Sequence, residues 1–416
     1  MNTPRMRRKV ATSGFSLIEL LVSMVIALVV TLAITSVLVR SEGSKRSTTS
    51  VNDVSQTGAY LAYVMDRTIR SAGSGFSQNW ADAYGCVINA SNGGAILPLP
   101  SALAAPFANV PLQIRLAPIL VGKGMADTGG QVRGDVLAVM SGTSGGGDMP
   151  QAVAPPPFVP GTVRVTNALG YQNSDLVLVA DQGLTLNPTK GCMLQQLAST
   201  SGVTVNQLNF TGATYSSDSG TTVGLSELVG STSPVAIQMG TIPANPTSPS
   251  NPPQMLLYGV GDNNTLNTYD LLRGAGNTVT PIADGVVEMR ALYGIDTTLP
   301  QPVAGGGIVR DWVDPGDASS GYTYGQLTSG TTTLQLTAAQ LNLRRIVAVR
   351  IGLILRTSLQ ERDPIPTAPT LTLFRDVVKA DGTSLAQTRT LTGDELYYRF
   401  RTVEFTIPLR NPLYAP

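Results

Sequence analysis

The chain has 416 residues, of which 28 are basic and 27 acidic, and it contains no histidine at all. That single absence removes Ser-His-Asp and Cys-His nucleophiles, His-ligated zinc and imidazole general bases. Two cysteines cannot complete an all-cysteine zinc site or hold an iron–sulfur cluster, and a formal charge of +1 is not the footprint of a nucleic-acid binder.

Carboxylate, serine or lysine chemistry is what remains. No S-x-x-K pair, no Walker A sequence and no G-x-G-x-x-G after a strand-like run occurs. The sequence therefore predicts no catalytic residue, no cofactor and no metal site.

Residues 1–14, MNTPRMRRKVATSG, carry Arg5, Arg7, Arg8 and Lys9 and no acid. From Phe15 to Val39 the chain is predominantly apolar and carries one charge, Glu19. As a helix this segment is about 37 Å long, enough to cross a hydrocarbon core of about 30 Å. The cations lie on one side, so the leader is expected in the cytoplasm and the rest exported, with the inner membrane as anchor. A cleaved secretory signal has a shorter apolar run ending in a small-residue site, and Arg40-Ser41-Glu42-Gly43 is no such site. An uncleaved signal anchor would not explain Glu19, because a carboxylate in a membrane helix is costly.

The run Gly14-Phe15-Ser16-Leu17-Ile18-Glu19, behind a short basic leader and before an unbroken apolar stretch, resembles the type IV prepilin signature. The resemblance implies that a prepilin peptidase cuts the Gly14–Phe15 bond, that Phe15 is then N-methylated, and that Glu19 takes part in subunit assembly. The physics agrees with each part. Glycine before the cut lets an extended backbone enter a tight protease site. The new Phe15 amine is a cation in apolar surroundings, and a nearby carboxylate offsets it. Cleavage removes four cations, taking the side-chain sum from +1 to −3. Major pilins kink this helix at a proline that would fall at Ser36, whereas this chain has none between Phe15 and Leu97.

After Val39 a polar stretch leads to a second periodic segment, Val51–Ala72. Val54, Leu61, Val64, Met65, Ile69 and Ala72 recur at helical spacing, which predicts an amphipathic helix continuing the first and stopped by Gly73-Ser74-Gly75. Beyond Phe76 the pattern is strand and loop. Strands are expected at Asp135–Met140, Asp175–Ala180, Val235–Met239, Gln254–Tyr258, Gly285–Tyr293, Ile346–Leu355, Thr370–Phe374 and Phe400–Leu409. Three turn-rich inserts, Ser141–Gly161, Thr241–Pro253 and Gly305–Thr333, read as surface loops, in part disordered. Arg344, Arg345 and Arg350 read as solvated charges protecting strand edges.

Four segments follow: a cleaved leader (1–14), a membrane and filament-core helix (15–39), its amphipathic extension (40–76) and an exported head (77–416). The fold class is α+β, a long helix packed on a β-rich, antiparallel, pilin-like head.

Narrower likenesses point within the superfamily. YLAYVMDRTIRSAGSGF, with Arg67, Ile69, Arg70, Ala72 and Gly73 in an R-x-I-R-x-A-G pattern, is similar to the segment after the membrane helix in PilW-type minor pilins. DGVVEMRALYGIDTT, LRRIVAVRIGLILRTS and VEFTIPLRN resemble that family's late strands, while 77–280 aligns with nothing. The resemblance implies a structural subunit of the complex that primes or tips the pilus, serving twitching motility and adhesion. Its expected partners are prepilin peptidase, other minor and major pilins and a tip adhesin, with no nucleic acid. The alternatives are a type II secretion pseudopilin, usually with a smaller head, and a membrane-anchored carbohydrate-active or binding protein.

Cys86 and Cys192 both lie in the exported part, where thiols are oxidised. They are expected to be bridged, closing a loop worth roughly 4–5 kcal/mol in chain entropy; the alternative is two separate buried thiols, since spacing does not show proximity. Asp262-Asn263-Asn264 and Asp311–Asp317 bring oxygens together at short spacing but complete no calcium pattern, and turn chemistry accounts for both.

Overall fold

The computed structural model describes residues 14, 16–143, 150–159, 161–181, 191–198, 206–210, 215, 224–228, 234–242, 251–273, 277–299, 307–330, 333–364 and 370–410. Leader residues 1–13 and Phe15 lie outside them, as do 144–149, 160, 243–250, 305–306 and 331–332 of the expected loops. The chain forms two units, 1–53 and 54–416.

Helix α1 (Leu17–Arg70) is continuous through Ser36, and its last turn carries Arg67 and Arg70, cations suited to the negative end of a helix dipole. A short α2 (Trp80–Ala83) follows. The strands are β1 (Ile88–Ser91), β2 (Ala95–Leu97), β3 (Ile119–Gly122), β4 (Val136–Ser141), β5 (Gln151–Val159), β6 (Thr162–Val165), β7 (Asp175–Ala180), β8 (Cys192–Gln196), β9 (Gln207–Asn209) and β10 (Val235–Thr241). They continue with β11 (Gln254–Val260), β12 (Thr265–Asp270), β13 (Thr280–Asp284), β14 (Val286–Ile295) and β15 (Asp311–Val313). Helices α3 (Tyr324–Leu327) and α4 (Thr333–Arg345) precede β16 (Ile346–Arg356), β17 (Thr370–Leu373), β18 (Gln387–Thr390) and β19 (Phe400–Pro408). All eight expected strands are present.

The strands make an eight-stranded sheet in the order β2-β1-β8-β7-β10-β5-β6-β9, a five-stranded sheet β13-β12-β11-β4-β3 and a four-stranded sheet β15-β14-β16-β19, with β17–β18 as a separate hairpin. Pairing is antiparallel except between β1 and β8. The fold class is α+β, as the helix-then-strand pattern predicts.

The C-terminal stripe of α1 enters the largest core. Leu61, Met65, Ile69 and Ala72 are fully buried, with Val54 nearly so and Val64 half-buried. Fully burying side chains such as Leu61, Met65 and Ile69 contributes about 1.5–3 kcal/mol each. Gly73 and Gly75, at φ +80° and +86°, turn the chain out of the helix, and the Gly73 amide donates to the Met140 carbonyl at 2.8 Å. Phe76 then stacks edge-on against Tyr84 at 6.0 Å between centroids.

One buried carboxylate joins two sheets. Asp135, fully buried, accepts from the Gly124 amide at 3.0 Å and the Ala291 amide at 2.9 Å, and burial pushes its carboxyl above the usual range. Gly134 beside it must be glycine. Its φ is +109°, and a Cβ there would fall 2.1 Å from the Met289 carbonyl oxygen.

Three readings need correction. The Ser141–Gly161 insert contains β5, and the Gly305–Thr333 insert contains β15 and α3. The β5–β6 ladder jumps from Val153↔Val165 to Phe158↔Val163, so it skips Pro155-Pro156-Pro157, which have no amide to donate. The arginines are not solvated edges either. Arg344 lies in the last turn of α4 and is 2% exposed, with burial lowering its pKa. The Arg345 Nε donates to the Leu299 carbonyl at 2.8 Å. Arg350 lies on β16, a central strand, and pairs with Glu404 at 2.8 Å and Asp376 at 2.6 Å.

Candidate functional site

The signature helix has an unusual surface. From Leu17 to Val39 its large apolar side chains are exposed on every side, Leu17 at 79%, Met24 at 62%, Leu32 at 61% and Val39 at 72%. None of the described residues buries its apolar window. A helix apolar all round belongs in a core or a membrane, and this one is long enough to span.

Its polar groups are settled locally. The hydroxyls of Ser23, Thr31, Thr35 and Ser36 each donate to a carbonyl three or four residues back, at 2.8–3.0 Å. None therefore presents an unpaired donor to an apolar solvent. Ser36, where a proline kink would fall, closes such a bond to Ala33. Glu19 differs. Its backbone amide donates to the Ser16 carbonyl at 3.0 Å, but its exposed carboxylate projects from the first turn, where a negative charge suits the helix dipole. Gly14 is exposed, and a Cβ there would meet nothing within 4 Å. Phe15 lies outside the described residues.

In the second unit, α1 docks on the four-stranded sheet. Gly58 makes the approach possible: an added Cβ would lie 2.9 Å from Val403 Cγ2 and 3.0 Å from Leu355 Cδ1. One turn earlier, the Arg401 guanidinium donates to the Ser55 hydroxyl. The opposite face of the sheet carries a smaller core, with Leu292, Ile354, Leu373 and Phe374 beneath the β17–β18 hairpin. Ion pairs rim it: Arg389 bonds Glu288 at 2.7 Å, and Glu404 accepts from both Arg350 and the Phe374 amide.

Cys86 and Cys192 are bonded, with Cα atoms 5.7 Å apart, tying the segment before β1 to the start of β8. Of the two oxygen-rich segments, the first is a single helical turn, and the second is β15 followed by a turn, so turn chemistry accounts for only part of it. Asn263 and Asn264 take φ of +59° and +56°, while Asp314 and Asp317 are engaged by Lys123 and Lys379. Sequence reasoning missed Gly58 as a contact residue; a glycine inside an amphipathic pattern was the available signal.

Two family matches bear on these parts. Residues 11–35 match the prokaryotic N-terminal methylation motif, and residues 257–411 match the type IV pilus-assembly protein W family. The second range contains the sheet on which α1 docks. Together the two matches support a PilW-type minor pilin with a role in type IV pilus assembly, and the matched family is a structural component of that machine. The N-terminal motif places prepilin processing and contact with other pilins in its life cycle. Neither a curated protein nor a solved structure gives a significant match.

Proposed function

We propose that this pilin belongs to the complex that primes type IV pilus assembly and remains at the filament tip. Its role there is architectural and not catalytic. Before assembly α1 crosses the inner membrane once, with the basic leader in the cytoplasm and the head in the periplasm. Prepilin peptidase cuts after Gly14, and the exposed Phe15 amine is N-methylated. Residues 1–14 then form the discarded leader, 15–39 the filament-core helix, 40–76 its extension and 77–416 the head. Glu19 offsets an N-terminal amine, its own or a neighbour's, during packing. The partners are other minor and major pilins and a tip adhesin, and the outputs are twitching and adhesion.

One observation carries the reading: a prepilin motif heads a helix whose apolar surface none of the described residues covers. N-terminal sequencing of the mature protein, purified with its bound pilins, tests it. Phe15 as the first residue, methylated, is the expected result. Any other mature terminus, or a mature protein that purifies free of other pilins, refutes the proposal.

A further inference from the structure

The described residues include a cavity of about 340 Å³ between the turn after β1 and the end of β12. Its two walls differ in origin. One wall, Asn92 to Leu103, lies in the segment that neither family range reaches; the other, Tyr269 to Asn277, lies inside the type IV pilus-assembly protein W range. The volume falls in the range of small-molecule sites, at the low end of roughly 300–1,000 Å³.

The walls are held in place before any ligand arrives. The Asn92 amide donates to the Gly94 carbonyl at 2.9 Å, and the Ser91 hydroxyl to the same oxygen at 2.8 Å. Tyr215 Oη donates to the Leu272 carbonyl at 3.0 Å, and Asn277 Nδ2 to the Asp270 carbonyl at 2.6 Å. Pre-formed walls reduce the ordering cost of binding.

The chemistry of the lining is uneven. Ile96, Leu99 and Leu271 are buried and make an apolar floor. The half-buried Tyr269 ring, braced by Phe107 at 6.3 Å between centroids, adds a flat aromatic wall. Arg273 is the one ionisable cation in the lining; it is exposed and makes no salt bridge among the described residues. Asp270 lies near enough to feel its field, yet the carboxyl is turned to the Leu272 amide at 3.0 Å. Ser101 and the open backbone of Gly93-Gly94, where an added Cβ would meet nothing within 4 Å, supply further hydrogen-bonding groups.

We infer that this cavity is a binding site for an acidic sugar, with the Tyr269 ring against the apolar face of a pyranose and Arg273 on its carboxylate. A planar guanidinium matches a carboxylate in two parallel hydrogen bonds, and a flat aromatic wall beside hydroxyl-seeking amides suits a ring with one apolar and one polar aspect. A small aliphatic acid would leave the floor and the ring uncovered. The inference is independent of the pilin's place in the priming complex.

Titration of the full chain in detergent with methyl glucuronide and with methyl glucoside, followed by saturation-transfer NMR and calorimetry, tests it. Saturable binding of the glucuronide is expected, with the glucoside weaker by about tenfold or more. Arg273→Gln should abolish that preference. Its side chain is exposed and, among the described residues, only its backbone forms a hydrogen bond, so circular dichroism should be unchanged. Tyr269→Ala should weaken both sugars alike. No saturable glucuronide binding overturns the site; equal affinity for the two sugars, or a preference that survives Arg273→Gln, overturns the assignment of Arg273 to a carboxylate.

Discussion

The docking of α1 on the sheet can be tested at Gly58. Alanine there gains about 1 kcal/mol of helix propensity. Against this, its Cβ would lie 2.9 Å from Val403 Cγ2 and 3.0 Å from Leu355 Cδ1, well inside the roughly 3.5–4.0 Å of comfortable carbon contact. Overpacking of this kind costs about 1–3 kcal/mol. Val403 is half-buried on the edge strand β19, so it can yield, and Gly58→Ala should come out between neutral and about 2 kcal/mol destabilising. Leucine has no such space and should cost about 3 kcal/mol or more. The sharper measurement is a double-mutant cycle with Val403→Ala, which removes the nearest atom. The pair should be more stable than the sum of the single changes by at least about 0.5 kcal/mol. Urea unfolding of the full chain in detergent, followed by Trp80 and Trp312 fluorescence, reads it. Strict additivity, together with a harmless Gly58→Leu, would show that the helix does not rest on Val403.

Three further outcomes are expected. Glu19→Ala should be processed and fold normally yet co-purify poorly with other pilins; wild-type yields of complex would make the carboxylate a passenger. Replacing Cys86 and Cys192 by alanine should lower head stability by roughly 4–5 kcal/mol through loop entropy alone, read as a urea midpoint shift that reductant reproduces in the wild type; an unchanged midpoint would deny the bridge a stabilising role. Asp317, held down to about 2 from 3.8 by hydrogen bonds from Lys379 and Ser319, contributes stability that is present above the unfolded value and lost as pH falls toward 2. The urea-midpoint gap between wild type and Lys379→Gln should therefore hold above pH 5 or so and close below it, and a gap independent of pH would dissociate the two residues.

The legible parts of the fold were those in which one physical demand dominated the local sequence. Val349, Ile351, Leu353 and Leu355 alternate because β16 packs one face on the α1 core, and that period shows without any tertiary knowledge. The failures share a cause too. Helix α4 runs into β16 at Ile346 with no glycine or proline between them, so the arginines of the helix end were read with the strand. Strand β8, Cys192-Met193-Leu194-Gln195-Gln196, is wholly buried between neighbours on both sides and has no alternation to show. Strand β5 is written against its own propensity, with three prolines that its ladder steps over. The signature helix was legible because its environment is uniform, whereas the cavity was not, since its two walls come from segments some 170 residues apart and meet only in the fold.

That uniformity also says what the helix lacks. An apolar surface exposed on all sides gains equally from any lipid or helix that covers it, so burial alone cannot choose between one axial position and the next. The hydroxyls cannot choose either, because each already bonds its own backbone. In the proposed filament only Glu19 distinguishes one register from another. A slip of one helical turn, about 5.4 Å, would carry the carboxylate away from a partner amine. Each charge left unpaired in apolar surroundings costs roughly several kcal/mol, more than the packing difference between neighbouring registers of a nearly featureless helix. On the proposed role of Glu19 a single carboxylate would be enough to set the position of the whole subunit, and Glu19→Asp gives the sharper version of the test. Asp keeps the charge but shortens the reach by one methylene, so it should restore less assembly than wild type and more than alanine. Full restoration by Gln, which hydrogen-bonds without charge, would show that electrostatic pairing is not what sets the register.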